Sequence, residues 1–392
     1  MAKFQIQVYN QIASHGLHRF PAARFTVGKA IEAPDAIVLR SHDLRNVPIA
    51  PSVKAIGRAG SGTNNIPVAD MSKRGVPVFN APGANANAVK ELVLAALLMA
   101  ARNIVPALAY VAALPPGAPD LERRVEEGKK AYAGVELPGR TLGIVGLGAI
   151  GSLVADTAIK LGMKVIGFDP EITVDAAWRL PSTVRRAHGI DELLKQSDFV
   201  TLHVPLVAAT RNLIDGARVG LMKPGAALLN FARDAIVDEA AVVAALRARK
   251  LRAYLCDFPS PALIGEPGAA TLPHLGASTE EAEENCAIMV ADTLREFLEH
   301  GTIRHSVNFP DASLSRTPGT SRVSVVNENV PNMVGQISTA LATANLNIAN
   351  LLNKSRGDVA YAIIDVDGAL PESMLQTIRE IPGVLAVRSI GG

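Results

Sequence analysis

Along most of the chain, short apolar runs alternate with stretches of helical spacing, which predicts parallel sheets crossed by helices. Leu142-Gly143-Ile144-Val145 is a strand run, and Leu153, Val154, Ala158 and Leu161 then mark one face of a helix. Lys164 to Phe168 is a second strand. Further strands are predicted at Asp198 to Leu202, leaving through His203-Val204-Pro205, and at Ala226 to Asn230 and Ala253 to Asp257. Before this region, Ala36 to Leu39, Val53 to Ile56 and Val76 to Asn80 read as strands of a smaller parallel α/β domain. Asn87 to Ile104 reads as one helix with a stripe of Val89, Leu92, Val93, Ala96 and Met99. Leu114 to Gly128, with Pro115-Pro116-Gly117, reads as a boundary loop entering a charged helix, and Glu280 to His300 as a long helix.

Beyond a linker at Thr317-Pro318-Gly319-Thr320 the pattern changes. A strand at Val323 to Val326 precedes a helical face of Met333, Ile337 and Leu341, then strands at Ile348 to Leu352 and Ala360 to Val366. A helix at Met374 to Ile381 and a strand at Val384 to Ile390 complete a βαββαβ order, the ferredoxin-like split motif. No cluster of acid, base and nucleophile occurs in this module, so it reads as regulatory.

Composition narrows the function classes. The chain has 392 residues, 48% of them apolar, which suits two or three domains with sizeable cores. A net charge of +2 points to neither nucleic acid nor a membrane surface. The two cysteines, Cys256 and Cys286, show no metal-ligand spacing and read as small core residues of a reduced, cytoplasmic protein. No metal site is expected.

The strongest chemical signal sits between the first two strands of the middle region. Gly146-Leu147-Gly148-Ala149-Ile150-Gly151 follows a strand and opens a helix, and Asp169 ends the next strand roughly twenty residues later. Gly146 allows the tight turn, Gly148 lets a pyrophosphate approach the backbone, and Gly151 lets helix and strand pack closely. The helix N-terminus offers free N–H groups and a positive dipole end to phosphate. Asp169 is placed to accept ribose hydroxyls, and its charge repels a 2′-phosphate, so the expected cofactor is NAD rather than NADP.

Other candidates fall just after strands, where open α/β sheets bind ligands. Arg233, Asp257 and His274 form one group. Arginine supplies a fork that matches a carboxylate, and histidine exchanges a proton near neutral pH, as hydride transfer from an alcohol carbon requires. Arg40, Ser41, Gly60, Ser61 and Gly62 form a second group, suited to an anionic substrate through a guanidinium and exposed amides.

Taken together, Gly146 to Gly151, Asp169, Asn230-Phe231-Ala232-Arg233 and Pro273-His274-Leu275-Gly276-Ala277-Ser278 resemble the D-isomer-specific 2-hydroxyacid dehydrogenases. The Arg58-Ala59-Gly60 loop, Asn80-Ala81-Pro82-Gly83 and a C-terminal module resembling an ACT domain narrow the resemblance to the branch acting on 3-phospho-D-glycerate. The resemblance implies two Rossmann-like or flavodoxin-like parallel-sheet domains with a cleft between them, plus the ferredoxin-like module. Residues 1–86 with 275–312 would form a discontinuous substrate-binding domain, 87–274 the NAD-binding domain, and 320–392 the ACT-like domain. Arg233 would bind the substrate carboxylate and His274 would be the general acid/base. Ala149, Ile150 and Asp169 would hold pyrophosphate and ribose, with Val204 and Pro205 also against the cofactor. Phe231, Ala232, Asp257, Gly276 and Ala277 would lie at the nicotinamide. The implied reaction is oxidation to 3-phosphooxypyruvate, the first step of L-serine synthesis, in a dimer or tetramer, with serine as an effector at Asn329 and Asn347. Another D-2-hydroxy acid, or a non-catalytic NAD(H)-sensing regulator on the same fold, are the alternatives.

One departure stands out. The family normally places a glutamate shortly after the aspartate equivalent to Asp257, paired with the histidine. Here the run is Asp257-Phe258-Pro259-Ser260-Pro261-Ala262, and Glu266 is the nearest acid. The expectation is that Glu266 does not serve His274.

Overall fold

The computed structural model describes residues 3–391; Met1, Ala2 and Gly392, at the ends of the expected first and last domains, lie outside the described residues. The chain divides into two units, Met1–Asn85 with Glu280–Gly392, and Ala86–Thr279.

The first unit holds a parallel sheet of β1 (Phe4–Val8), β2 (Phe25–Gly28), β3 (Ala36–Leu39), β4 (Ala55–Arg58) and β5 (Val78–Phe79), in the order β2-β1-β3-β4-β5. The long helix Glu280–His300 covers one face, joining Val290, Leu294, Phe297 and Leu298 to Ile6, Val38 and Phe79 in one core. Its approach is set at Gly57, where an added Cβ would lie 2.7 Å from the side chains of Val290 and Leu294.

The second unit is a seven-stranded parallel sheet. Its strands are β6 (Thr141–Val145), β7 (Lys164–Phe168), β8 (Arg185–Arg186), β9 (Phe199–Leu202), β10 (Ala226–Asn230), β11 (Leu251–Cys256) and β12 (Ala269–Thr271). The order β12-β11-β10-β9-β6-β7-β8 reverses direction at β6, between β9 and β7. Chain connections leave such a switch point on opposite sides, opening a crevice beyond the strand ends. The expected helix Asn87 to Ile104 is observed as one helix ending at Arg102, and a further helix follows it. Ala86–Arg102 buries Val89, Val93, Ala96 and Leu97 against the sheet. Asn103 then turns left-handed at φ 52°, and Ile104–Ala112 leaves at 69°. Apolar residues continue through the break, so periodicity does not reveal it, whereas the Asn103 amide stabilises it by donating to Ala133 O at 3.0 Å. Among the described residues no single helix is long and apolar enough to cross a membrane.

The C-terminal module belongs to the first unit and has the expected βαββαβ order. β13 (Thr320–Glu328), β14 (Ile348–Arg356), β15 (Val359–Asp367) and β16 (Val384–Ile390) form an antiparallel sheet in the order β14-β15-β13-β16. Cross-strand partners Arg322 and Asp365 make a buried bidentate ion pair at 2.6 and 2.8 Å. The remaining Arg322 nitrogen donates to His300 O and Leu314 O, which ties the sheet to the end of the long helix.

Candidate active site

In the second unit, the glycine loop connects β6 to the helix Ala149–Lys160. Gly146 adopts φ 91°, and a Cβ there would sit 2.5 Å from His203 O, with Val204 Cγ1 at 3.0 Å. This glycine is therefore required by the approach of the chain leaving β9. A Cβ on Gly151 would lie 2.0 Å from Gly146 O, so helix and loop pack only through glycine. Gly148 differs: its φ of −70° suits any L-residue, and no protein atom lies within 4 Å of where its Cβ would be. Its neighbour Ala149 is also exposed, while Ile150 is half-buried. The open space over Gly148, at the N-terminus of a helix, fits a dinucleotide pyrophosphate.

Asp169 follows β7, as the ribose role requires. Its Oδ2 accepts from Leu147 N at 2.8 Å and its Oδ1 from Glu171 N at 3.0 Å. These bonds fix the carboxylate beside the glycine loop, and each oxygen keeps a further lone pair. Beyond β9, Pro205 O accepts from the Thr210 hydroxyl at 2.6 Å, which pins the exit.

A second cluster forms beyond β10 and β11. Asn230 is fully buried; its amide accepts from Ala232 N at 3.2 Å and donates to Arg233 O at 2.8 Å. The turn carrying buried Phe231 and exposed Arg233 is held by that one side chain. Asp257 leaves β11 with 1% exposure. Its Oδ2 accepts from Gly276 N at 3.1 Å, while its Oδ1 is shielded and has no hydrogen-bond partner. Burial pushes this carboxyl above its usual range, opposed by the Gly276 N–H and by the charges of His274 and Arg233. Asn230, which holds the Arg233 turn, pairs in register with Cys256, and His274 N donates to Asp257 O, so Arg233, Asp257 and His274 leave adjoining strand ends. Ala277 follows in the same turn, half-buried.

His274 is exposed and left-handed at φ 49°. Its backbone N–H is directed to Asp257 O and Leu272 O at 3.1 and 3.0 Å, which fixes the turn. Its ring stands edge-on to Phe258, with centroids 5.3 Å apart. Among the described residues no carboxylate hydrogen-bonds this ring. Glu266, the nearest acid in sequence, is held by Arg247 at 2.7 and 3.0 Å.

In the first unit, Arg40 and Ser41 follow β3, and Gly60, Ser61 and Gly62 follow β4. Asn65 gathers both loops, donating to Arg40 O and His42 O and accepting from Arg58 Nε at 3.2 Å. Asn80 Nδ2 donates to Ser61 O at 2.6 Å. Arg40 pairs with Glu283 at 2.5 Å, and both Arg40 and Arg58 act on the buried Cys286 thiol. A cation pair therefore stands at these strand ends.

Three residues escape the sequence reading. Arg58 is assigned only to a loop, although its guanidinium lies against Gly60. Asn230 carries no role there, although it holds the Arg233 turn. His203 is passed over, yet its Nε2 lies 3.0 Å from the Thr201 hydroxyl and its Nδ1 is shielded without a partner. Burial pushes the His203 ring down to about 3, which keeps it neutral beside the glycine loop. The polar, buried character of these residues is a signal only once their neighbours are known.

The effector pair does not come together within one chain. Asn329 donates to Gly357 O in the β14–β15 turn, whereas Asn347 donates to Asp367 at the far end of β15. The register pairs Glu328 with Val359 and Thr320 with Asp367. At about 3.4 Å per residue, the two asparagines are separated by roughly 27 Å of strand.

The chain is similar to known proteins. The profile of the D-isomer specific 2-hydroxyacid dehydrogenase NAD binding domain matches residues 94–276. The D-3-phosphoglycerate dehydrogenase of Haemophilus influenzae is 35% identical over 354 residues, 87% of this chain and 82% of its own. That of Escherichia coli is 33% identical over 356 residues, 86% of this chain and 82% of its own. The NAD+-bound 3-phosphoglycerate dehydrogenase of Entamoeba histolytica superposes with a TM-score of 0.61 at 25% identity, covering 78% of this chain and 99% of its own.

Proposed function

The chain belongs to the D-isomer-specific 2-hydroxyacid dehydrogenases, and on that premise we propose that it oxidises 3-phospho-D-glycerate to 3-phosphooxypyruvate with NAD, the first step of L-serine synthesis. The observation that carries the chemistry is the grouping of Arg233 and His274 around buried Asp257, on the sheet that bears the glycine loop.

When bound, NAD supplies a two-electron hydride acceptor. Gly148 leaves the room for its pyrophosphate, and Asp169 accepts from the adenine ribose. The unpartnered Oδ1 of Asp257 suits an amide donor such as a carboxamide, since a buried acceptor left unpaired costs about 1–3 kcal/mol. Phe231, Ala232, Gly276 and Ala277 would form the wall beside it, Val204 borders the glycine loop, and Pro205 follows in the same exit. Arg233 binds the substrate carboxylate through its fork. His274 takes the hydroxyl proton as the C–H hydride departs, and the alcohol carbon becomes a carbonyl. In the first unit, the Arg40 and Arg58 guanidinium groups, Ser41 and the Gly60-Ser61-Gly62 amides supply phosphate-binding chemistry.

Residues 1–86 with 275–312, 87–274 and 320–392 remain the proposed functional domains. We assign the protein to the cytoplasm and to a homo-oligomer. Because Asn329 and Asn347 stand apart within one chain, a serine effector requires one asparagine from each of two paired modules.

His274→Asn tests the assignment. It is expected to lower kcat for 3-phosphoglycerate by at least about a hundredfold, the usual share of a general base, with NADH affinity kept. That no carboxylate among the described residues hydrogen-bonds His274 favours one rival, a non-catalytic NAD(H) sensor. NADH binding without turnover in the parent protein would establish that rival instead.

A further inference from the structure

A cavity of about 480 Å³ lies in the first unit, where the C-terminal module packs on the parallel sheet. Its walls come from the segments before β4 and β5, from the long helix, and from β13, β15 and β16. The two parts meet closely at Gly75, whose φ is +68° and whose added Cβ would lie 3.1 Å from Ala386 Cβ. Lys54, Arg74, Arg379 and Arg388 line the cavity together with Ser324 and Tyr361, and none of the described lining residues is acidic.

Three of the cations are already engaged. Lys54 pairs with Asp35 at 2.5 Å, Arg379 with Glu372 at 2.6 Å, and Arg74 donates to Ile49 O and Ala50 O. Arg388 is different. One nitrogen, Nη2, donates to Leu298 O at 3.1 Å, and the guanidinium stacks 4.3 Å over the Phe297 ring. Its Nη1 is shielded from solvent and has no acceptor. Burial pulls its pKa below the usual arginine value, with Tyr361 and Asp35 acting in the opposite sense. Even so, a guanidinium does not discharge in a protein. Arg388 makes no ion pair with a described carboxylate, and an anion in the cavity it lines would balance its charge.

We infer that this cavity is a binding site for a small oxyanion, the phosphate or carboxylate group of a metabolite, held by Arg388 from β16 and by Arg74 and Lys54 from the parallel-sheet side. A ligand there touches both the C-terminal module and the first sheet, so it fastens one to the other. The site stands apart from Asn329, Asn347 and the Arg40 cluster, none of which lines it.

The test is calorimetric titration of the full chain with inorganic phosphate and, separately, with malonate, in an Arg40→Ala background that weakens the other anion cluster. The expected result is saturable binding of at least one anion, weakened at least tenfold by Arg388→Gln while NADH affinity is retained. Phosphate binding alone identifies a phosphate ligand, and malonate binding alone a carboxylate ligand. No saturable binding, or equal affinity with and without Arg388→Gln, overturns the site. If Arg388→Gln does not fold, the half-exposed Lys54→Ala replaces it: a several-fold loss supports the inference, and unchanged affinity refutes it.

Discussion

Gly148→Ala separates cofactor binding from folding more sharply than any other change in the glycine loop. The backbone at Gly148 is extended, with φ −70° and ψ −155°, and an added Cβ would meet no protein atom within 4 Å. Stability should therefore change by no more than about 1 kcal/mol, because alanine restricts the unfolded chain but caps the helix Ala149–Lys160 less well than glycine. The methyl group would instead stand in the space assigned to the pyrophosphate. NADH affinity should fall at least tenfold, or about 1.4 kcal/mol. Gly151→Ala is the contrasting variant. Its Cβ would fall 2.0 Å from Gly146 O, so backbone must shift, at about 1–3 kcal/mol for overpacking. Thermal denaturation and fluorescence titration of NADH on both variants supply the comparison. Parental NADH affinity in a folded Gly148→Ala protein would refute the placement of the pyrophosphate.

Asp169→Ala should weaken NAD by about 1.5–3 kcal/mol, the value of hydrogen bonds to a charged acceptor, and narrow discrimination against NADP; equal affinity in parent and variant would remove Asp169 from the site. Glu266→Gln should leave the pH profile of kcat/KM superimposable on the parent's, since Arg247 holds that carboxylate; a downward shift of the acidic limb with a large loss of kcat would make Glu266 the partner of His274. Asp257→Asn should raise the melting temperature at neutral pH. Burial lifts the folded-state pKa of Asp257 above its ordinary 3.8, so its contribution to stability is complete below that value and is lost as pH rises through the folded pKa. The gain from asparagine should therefore vanish below about pH 4, and a gain independent of pH would show that Asp257 is not the titrating group.

Much of this architecture is legible in the chain because parallel strands buried on both faces are written as unbroken apolar runs. Ala36–Leu39 and Ala226–Asn230 have the bounds that their apolar runs predict. Edge strands are less visible. β2, β8 and β12 lie at or near the margins of their sheets, and the two-residue β8 is a pair of exposed arginines. β4 begins two residues later than Val53 and runs on to Arg58, because pairing with Leu39 carries the strand past its apolar segment. The glycine loop is readable because three glycines and an acid occur in a fixed order along one βαβ unit. Asn230, Arg58 and His203 act through partners distant in space or through backbone atoms, and no local pattern marks such contacts. The separation of Asn329 from Asn347 likewise depends on strand register rather than on the residues themselves.

The most direct test of the proposed activity is a comparison of kcat/KM for NAD-dependent oxidation of 3-phospho-D-glycerate, D-glycerate and D-lactate by the parent protein and by Arg40→Ala, following NADH absorbance. The parent is expected to prefer the phosphorylated acid by at least about a hundredfold, near 2.7 kcal/mol, and Arg40→Ala to lose most of that preference while its rates on the other two acids stay close to the parent's. Equal kcat/KM for all three acids in the parent, or turnover of none, would contradict it.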